Sequence, residues 1–403
     1  MSTTDQAVDR LSEIRSSVEE LAVEIAKTSA QRDLSRELPF EAFRQVREKG
    51  IGTLRLPESL GGPGGSVRDV IQAIIVIASG DSNVAHALRS HFNFSEMIYL
   101  GQDSPAQRES ARLILKGALF GGAHTEIGTS RPGEIRTKLS KTSSGYRLNG
   151  RKYYATGTDF ADFASFSAVN EAGDTVFARL PIGRAGIKIL DDWDGMGQRL
   201  TGSGGILLTD VEVKKDEFFM ANSTSSPAAR HASTFRQLFL MACQAGIVRN
   251  VLADAIEYGR SQARPITHSP AATAREDHFV QRQVGEIAAF SHAIDALILA
   301  SADTLDGSAA AILAEDPEID RVLAESAISV AKAQIVVGPL ALRAAEGIFN
   351  VGGASATSRK RNFDRHWRNV RTITSHNPLS YKEKAVGDYL LNGEPPPTEG
   401  GYF

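Results

Sequence analysis

The feature that most constrains this chain is a change in apolar periodicity, which divides it into a helical, a stranded and a second helical segment. In the first segment, apolar residues recur at spacings of three and four along Leu11–Ile25, as on one face of an amphipathic helix. Loop composition interrupts this spacing at Leu56–Gly65, and the spacing resumes from Val67. We therefore predict a helical N-terminal domain over residues 1–117.

The middle segment has the pattern of short β-strands. From about Leu119 to Phe219, alternating runs are separated by turn residues. The Asn149-Gly150 pair predicts a tight hairpin turn between Tyr146–Leu148 and Lys152–Ala155, because both central positions of such a turn need positive φ. A linker rich in Ser, Ala and Pro follows at Asn222–Ala229. We predict a β-domain over residues 118–222.

The last segment is helical almost to its end. Alanine-rich amphipathic stretches run through Phe235–Ser261, His278–Thr304, Glu318–Phe349 and Tyr381–Leu391. Antiparallel helices of such lengths usually close a bundle. We predict a C-terminal helical bundle over residues 223–403 and an α+β fold class for the whole chain.

The amino-acid composition limits the classes of binding partner that we expect for this chain. A net charge of −3 gives no global attraction to nucleic acid or to an anionic membrane, so we expect a small-molecule substrate and protein subunits, with no nucleic acid and no membrane. Cys243 is the only cysteine, which excludes an intrachain disulfide and a cysteine-based zinc site, and we expect no metal. The polar N-terminus does not have the pattern of a signal peptide, and uninterrupted apolar runs fall short of the roughly 20 residues of a membrane span. We predict a cytoplasmic location.

Two stretches of the β-segment resemble a known family. The sequence GGAHTEIGTSRPGEIRT at Gly121–Thr137, followed by GYRLNGRKYYATG at Gly145–Gly157, resembles the flavin-binding β-domain of the acyl-CoA dehydrogenase superfamily. The segment Asp191–Val211 resembles the stretch in which that family's chain crosses the end of the β-domain. The resemblance implies a helical N-terminal domain, a β-barrel-like middle domain and a C-terminal four-helix bundle, with the flavin ring cradled by the strands.

A third stretch indicates the branch of the superfamily. Val351–Pro378, continuing into LSYKEKAVGDYLLNG, resembles the C-terminal signature of two-component flavin monooxygenases related to dibenzothiophene monooxygenase. Where a dehydrogenase would carry a glutamate as the base for an α-proton, this chain has Thr374–Pro378. An oxygenase instead needs a proton donor or hydrogen-bonding group beside a flavin hydroperoxide, and a histidine can serve. His376 is our leading catalytic candidate.

The resemblance also implies the remaining site residues. It assigns catalytic roles to His91 and Thr156 beside His376. An arginine such as Arg264 matches the flavin phosphate through its planar fork, and a glycine-rich turn lets backbone N–H groups approach closely. The implied cofactor contacts are Gly122, Ala123, His124, Thr125, Lys152, Tyr153, Tyr154, Ala155, Thr156, Arg264, Ala354 and Ser355.

The implied activity is that of a flavin-dependent monooxygenase. Reduced FMN from a separate reductase would react with O2, and a flavin hydroperoxide would oxygenate a small heteroaromatic, sulfur- or nitrogen-containing substrate. No G-x-G-x-x-G following a strand is visible, so a transient partner reductase is expected. Thr125–Gly133 and Asp364–Pro378 are candidate lid loops that would exclude water. FAD stays possible as the cofactor, and the resemblance implies a homotetramer.

Two alternatives remain open from the sequence. An acyl-CoA dehydrogenase-type FAD desaturase could use Glu346 as a displaced base. A catalytically silent helical scaffold could keep the fold without binding flavin. Binding of reduced FMN, and the reaction that follows in air, separates these possibilities.

Overall fold

The computed structural model describes residues 3–131, 133–143, 145–220, 225–398 and 403. The predicted α+β order of helices, strands and helices is confirmed. The first six helices are α1 (Thr3–Ser35), α2 (Phe40–Glu48), α3 (Val67–Gly80), α4 (Ser82–Ala87), α5 (Arg89–Tyr99) and α6 (Pro105–Leu115). The last five are α7 (Pro227–Ser261), α8 (His278–Leu313), α9 (Ile319–Gly352), α10 (Asp364–Thr374) and α11 (Leu379–Asn392).

The N-terminal helices and the C-terminal bundle share one hydrophobic core. Ser66 caps α3 through a reciprocal capping box with Asp69. The body of α3 is apolar on nearly every side, because it packs against α1 on one side and against α7 and α8 on the other. Helix α3 therefore fixes the N-terminal segment against the bundle. The cleft described below lies where these two segments meet the strands.

The strands between the helical segments form one sheet. They are β1 (Phe120–Ala123), β2 (Lys138–Thr142), β3 (Gly145–Lys152), β4 (Phe163–Val169), β5 (Thr175–Pro181), β6 (Ile187–Ile189), β7 (Ile206–Val213) and β8 (Phe218–Met220). Their order is β6-β7-β3-β2-β4-β5-β8, and β1 pairs in parallel with β4. A second core, separate from that of the helices, lies against this sheet. Predicted bounds at 117/118 and 222/223 fall near the ends of the sheet, and the three-domain division stays a prediction.

The predicted hairpin turn at Asn149-Gly150 is wrong. Strand β3 continues through both residues, and the tight connection joins Thr142 to Gly145. The pairing of β3 with β7 is irregular between Leu148 and Gly150, as in a β-bulge. The Asn149 side chain bonds Asp210 on β7, accepting from its backbone N–H at 2.8 Å. A Cβ at Gly150 would lie 2.3 Å from Thr137 Oγ1, so glycine is needed here for close packing.

The three longest C-terminal helices are more apolar than the sequence prediction allowed. By length and composition alone, α7, α8 and α9 with its following turn could each cross a membrane. Scanning for uninterrupted apolar runs missed this because single polar residues divide the runs. The helices pack against one another, and 67% of the apolar window of α7 is buried within the chain, against 39% for α8.

Candidate active site

Four elements meet at one place, which we call the cleft: the start of α5, the end of β1, the turn after β3 and the turn between α10 and α11. Arg89, the first residue of α5, donates from Nη1 to His376 Nε2 at 3.5 Å, which joins the N-terminal segment to the turn between α10 and α11. Helix α5 also packs against β1, and a Cβ at Gly122 would lie 3.6 Å from Ser90 Oγ. The turn after β3 reaches the same place, because Gly157 lies against Ala87, two residues before Arg89.

His376 exposes its ring to this cleft. Its turn is anchored by Asn377, which is buried and donates from Nδ2 to Gln237 Oε1 on α7 at 2.5 Å. Desolvation by neighbouring protein atoms, followed by the charge of Arg89, lowers the pKa of His376 from its ordinary value of 6.5 to about 3. The imidazole is therefore neutral at physiological pH. It accepts a hydrogen bond from Arg89 at Nε2 and can donate one from Nδ1.

Thr156 ends a chain of three hydroxyl groups. Thr156 Oγ1 lies 2.7 Å from Ser203 Oγ, which lies 2.6 Å from Thr201 Oγ1. The following Gly157 has φ +79°, and a Cβ there would lie 2.0 Å from the Ala87 carbonyl oxygen. Glycine thus allows the strand end to approach α4 closely, which fixes the Thr156 hydroxyl beside the cleft.

At the end of β1, backbone groups rather than apolar side chains are available to a ligand. Gly122 is half-buried and Ala123 is fully buried, whereas His124 and Thr125 are exposed. The His124 ring packs edge-on against Phe177, with ring centroids 5.3 Å apart. Burial, and then the charges of nearby cationic side chains, lowers the pKa of His124 to about 4. Like His376, it is neutral at physiological pH.

The Lys152 side chain is buried in the β-domain, so the predicted flavin contact of this residue would have to come from its backbone. Its ammonium is fully buried and forms an ion pair with Glu126 at 2.6 Å, with a further hydrogen bond to Ser167 Oγ at 3.1 Å. Lys152 occupies an inward-facing position of β3, like Leu148 four residues earlier. Of its predicted neighbours, Tyr154 is exposed at φ +55° and Tyr153 is half-buried. Ala155 is buried, so only its backbone is available to a ligand.

The contacts of His91 also differ from the prediction. Its Nε2 donates to the Gly52 carbonyl oxygen at 2.8 Å, and its Nδ1 accepts from the Phe120 amide at 3.2 Å. The ring is 2% exposed. With both nitrogens bonded to backbone, neither is available to a substrate. These contacts favour a structural role for His91, which fixes β1 to the N-terminal helices, over the predicted catalytic role.

We expect His91 to make stability depend on pH. Burial lowers its pKa from 6.5 to about 4, so below pH 6.5 the unfolded chain takes up a proton that the folded chain rejects. This costs about 2 kcal/mol of unfolding free energy between pH 7 and pH 5. Urea unfolding of His91→Gln should therefore show a pH dependence weaker by about that amount. An unchanged pH dependence would mean that the folded chain accommodates the imidazolium.

The remaining predicted cofactor residues form a second group. Arg264 lies in the loop between α7 and α8. Gln262, in the same loop, accepts a hydrogen bond from Arg361. Arg361 also donates to the Ser355 carbonyl oxygen at 3.2 Å, so Arg264 and the turn at Ala354 and Ser355 lie at the same end of the bundle. Within the described ranges, no hydrogen bond or ion pair joins this group to the residues around Thr156.

Three cleft residues escaped the sequence interpretation. His86 Nδ1 lies 3.1 Å from Gln198 Oε1, and burial lowers the pKa of His86 to about 3. Arg89 contacts His376, and Arg236 on α7 donates to Asn93 Oδ1 at 3.1 Å. A sequence signal for part of this cluster was present. His86, Arg89 and Asn93 are polar residues spaced three to four apart in the mostly buried helices α4 and α5.

Three further predictions can be compared with the structure. The candidate lid Asp364–Pro378 is not a loop, since Asp364–Thr374 forms α10. Ion pairs hold this helix, from Arg365 to Asp254 and from Arg368 to Asp33, both at 2.8 Å.

Glu346, the base of the alternative desaturase, is exposed on α9. The other candidate lid, Thr125–Gly133, contains Pro132, which lies outside the described residues.

Comparison with known proteins identifies the family. Residues 9–111 match the acyl-CoA dehydrogenase N-terminal domain, and residues 238–381 match the acyl-CoA dehydrogenase C-terminal domain. A dibenzothiophene monooxygenase of Mycolicibacterium goodii is 31% identical over 91% of this chain and 90% of its own.

Solved structures extend the likeness to the whole fold. TdsC from Paenibacillus sp. A11-2, crystallised with FMN and indole, superposes with a TM-score of 0.88 at 28% identity, over 97% of this chain and 99% of its own. The methanesulfinate monooxygenase MsuC from Pseudomonas fluorescens superposes with a TM-score of 0.87 at 27% identity, over 96% and 99%. The chain therefore belongs to the flavin-dependent monooxygenase branch of the acyl-CoA dehydrogenase superfamily, the branch that includes dibenzothiophene monooxygenase.

Proposed function

We propose that this protein is a monooxygenase that uses reduced FMN and O2 to oxygenate a small organic substrate containing sulfur or nitrogen. When bound, reduced FMN supplies two electrons and two protons, so that one oxygen atom enters the substrate and the other leaves as water. The observation that carries the proposal is the contact of His376 with Arg89 at 3.5 Å, which holds an imidazole in the segment where the resemblance implies the carboxylate base of a dehydrogenase.

The residues of the cleft fit an isoalloxazine ring. Gly122 and Ala123 add little side-chain bulk beside the backbone, and the Thr156 hydroxyl ends a hydrogen-bonded chain that can orient it. Tyr154, at 53% exposure, presents an aromatic surface next to Trp193, with ring centroids 6.0 Å apart. These groups would hold the ring, while Arg264 would hold the phosphate.

His376 is suited to hold a proton or hydrogen bond at the oxygen that is transferred. Because Nε2 accepts from Arg89, the N–H of the neutral ring is on Nδ1, which can donate a hydrogen bond to an oxygen on which negative charge develops. Arg89 holds Nε2 in place, and Asn377 holds the turn against α7. A fixed donor avoids the free-energy cost of reorienting solvent during the reaction.

Isotope incorporation tests the proposal. Protein loaded with reduced FMN is exposed to ¹⁸O2 in the presence of indole, dibenzothiophene or methanesulfinate, and the products are analysed by mass spectrometry. We expect one ¹⁸O atom per product molecule from at least one of the three. Bleaching of bound oxidised flavin by an acyl-CoA, without oxygen incorporation, would instead indicate a desaturase. Failure to bind FMN would indicate a scaffold.

We also propose that the enzyme works as a homotetramer served by a separate flavin reductase. The predicted flavin residues fall into two groups that no hydrogen bond or ion pair joins within the described ranges. This supports assembly of several copies, because Arg264 of one copy could complete the site of another. Large apolar side chains exposed on the bundle, such as Phe279 at 78% and Leu391 at 84%, support it as well. A cytoplasmic location, where such a reductase would supply FMN, stays part of this proposal.

A further inference from the structure

Two arginines lie near each other on α5 and α7, because Arg236 donates to Asn93 Oδ1, four residues after Arg89. Arg89 begins α5, Arg236 lies on α7, and both are half-buried. Burial, and then the charge of Arg89, lowers the pKa of Arg236 to about 10. Holding two like charges close together in a partly desolvated cleft costs free energy unless an anion offsets it.

No carboxylate offsets Arg89 in the part of the chain that the structure describes. Its one hydrogen bond is the contact at 3.5 Å with His376, a neutral ring. Buried arginines elsewhere in the chain are paired differently. Arg55 binds Glu96 at 2.5 Å and Arg365 binds Asp254 at 2.8 Å. Arg89 therefore differs from Arg55 and Arg365 in having no carboxylate partner among the described residues.

The other titratable groups of the cleft leave this charge in place. His86, His124 and His376 are all neutral at physiological pH, with pKa values of about 3, 4 and 3. Burial is the main cause, and the charged neighbours that lower these pKa values further are themselves cationic. The cleft thus combines fixed positive charge with several neutral hydrogen-bonding groups.

We propose that the substrate is a small organic oxyanion, of the size of an alkylsulfinate or a short carboxylate, whose charged oxygen atoms bind Arg89. This deepens the proposed function and rests on it. Guanidinium groups bind oxyanions through charge-assisted, often bidentate hydrogen bonds. Binding at Arg89 places the substrate beside His376, because the two side chains are in contact.

A second source of negative charge is the reduced flavin ring itself. The two sources predict different effects of the same substitutions, since oxidised FMN has a neutral ring. An oxyanion substrate needs Arg89 when the flavin is oxidised, reduced or absent. A role toward the reduced ring would appear only in the affinity for reduced FMN.

Calorimetric titration tests the oxyanion site without turnover. Methanesulfinate, and its neutral near-isostere dimethyl sulfoxide, are titrated into flavin-free protein and into protein saturated with oxidised FMN. We expect methanesulfinate to bind at least about tenfold more tightly than dimethyl sulfoxide, and Arg89→Met to abolish that difference. Arg89→Lys, which keeps the charge but loses the fork, should retain part of it. Arg371→Met removes an exposed arginine five residues before His376 and should change neither affinity.

The outcomes separate the inference from the proposed function. Equal affinities for the anion and the neutral molecule, or an Arg89→Met variant that keeps its preference for the anion, would overturn the oxyanion site. A variant with unchanged sulfinate affinity but about tenfold weaker binding of reduced FMN would overturn it in favour of the flavin ring. Failure to bind FMN contradicts the proposed function, whereas oxyanion binding that depends on Arg89 still supports this site. Circular dichroism of each variant checks that it is folded.

Discussion

Replacing His376 by alanine should reduce product formation by about a hundredfold or more while leaving the affinity for FMN within about twofold, as is usual for a general acid-base group. The imidazole faces the cleft and contacts Arg89, and its anchoring comes from the neighbouring Asn377. Removing the ring therefore leaves the turn in place. Single-turnover assays with reduced FMN, together with anaerobic FMN titration, measure the two quantities separately.

The control for this prediction is His292→Ala, which removes an exposed histidine of α8. We expect this variant to keep full turnover. A His376→Ala enzyme with unchanged product formation would remove the imidazole from the reaction. A joint loss of FMN affinity and turnover would reassign His376 to cofactor binding.

Replacing Glu96 by glutamine should destabilise the protein by about 3–5 kcal/mol, the usual cost of breaking a buried ion pair by removing one partner. Arg55 donates to both carboxylate oxygens of Glu96, at 2.5 and 2.8 Å, and His231 Nε2 lies 3.0 Å from one of them. Burial would raise the pKa of Glu96, but the hydrogen bonds and charge of Arg55, with those of His231, lower it to about 2. The glutamine would leave Arg55 charged and uncompensated.

Chemical unfolding at neutral pH measures this effect. Glu109→Gln breaks an exposed pair with Arg112 on α6 and should leave the unfolding midpoint unchanged. Because Arg55 and Glu96 belong to the N-terminal segment while His231 lies on α7, the network joins the two helical segments. A Glu96→Gln protein as stable as the wild type would show that the fold tolerates a lone arginine at this position.

The sequence predicted elements well where periodicity decides the structure. The bounds of α8 and α9 lie close to the apolar stretches, since their faces are buried by neighbours along most of their length. Helix α10 was missed because its arginine-rich sequence has the composition of a surface loop. Ion pairs with Asp33 and Asp254, from helices far away in the chain, hold it instead. Contacts of this kind have no local signal.

The site was predicted in part. The resemblance indicated the turn at His376, and this turn contacts Arg89 at the start of α5. The role of the turn in the site stays a prediction. The resemblance could not give the direction of the Lys152 side chain, which depends on which face of β3 is covered. The proximity of Arg89 and Arg236 could not be predicted from the sequence either. They are 147 positions apart, and only the fold brings them to one cleft.

A crystal structure with bound oxidised FMN tests the central claim most directly. The account predicts that the isoalloxazine ring lies in the cleft between the Thr156 hydroxyl and the His376 imidazole, each within hydrogen-bonding reach of the ring or of the space above it. An FMN ring bound elsewhere, or a His376 turn remote from it, would contradict the assignment of this cleft as the site of oxygen transfer.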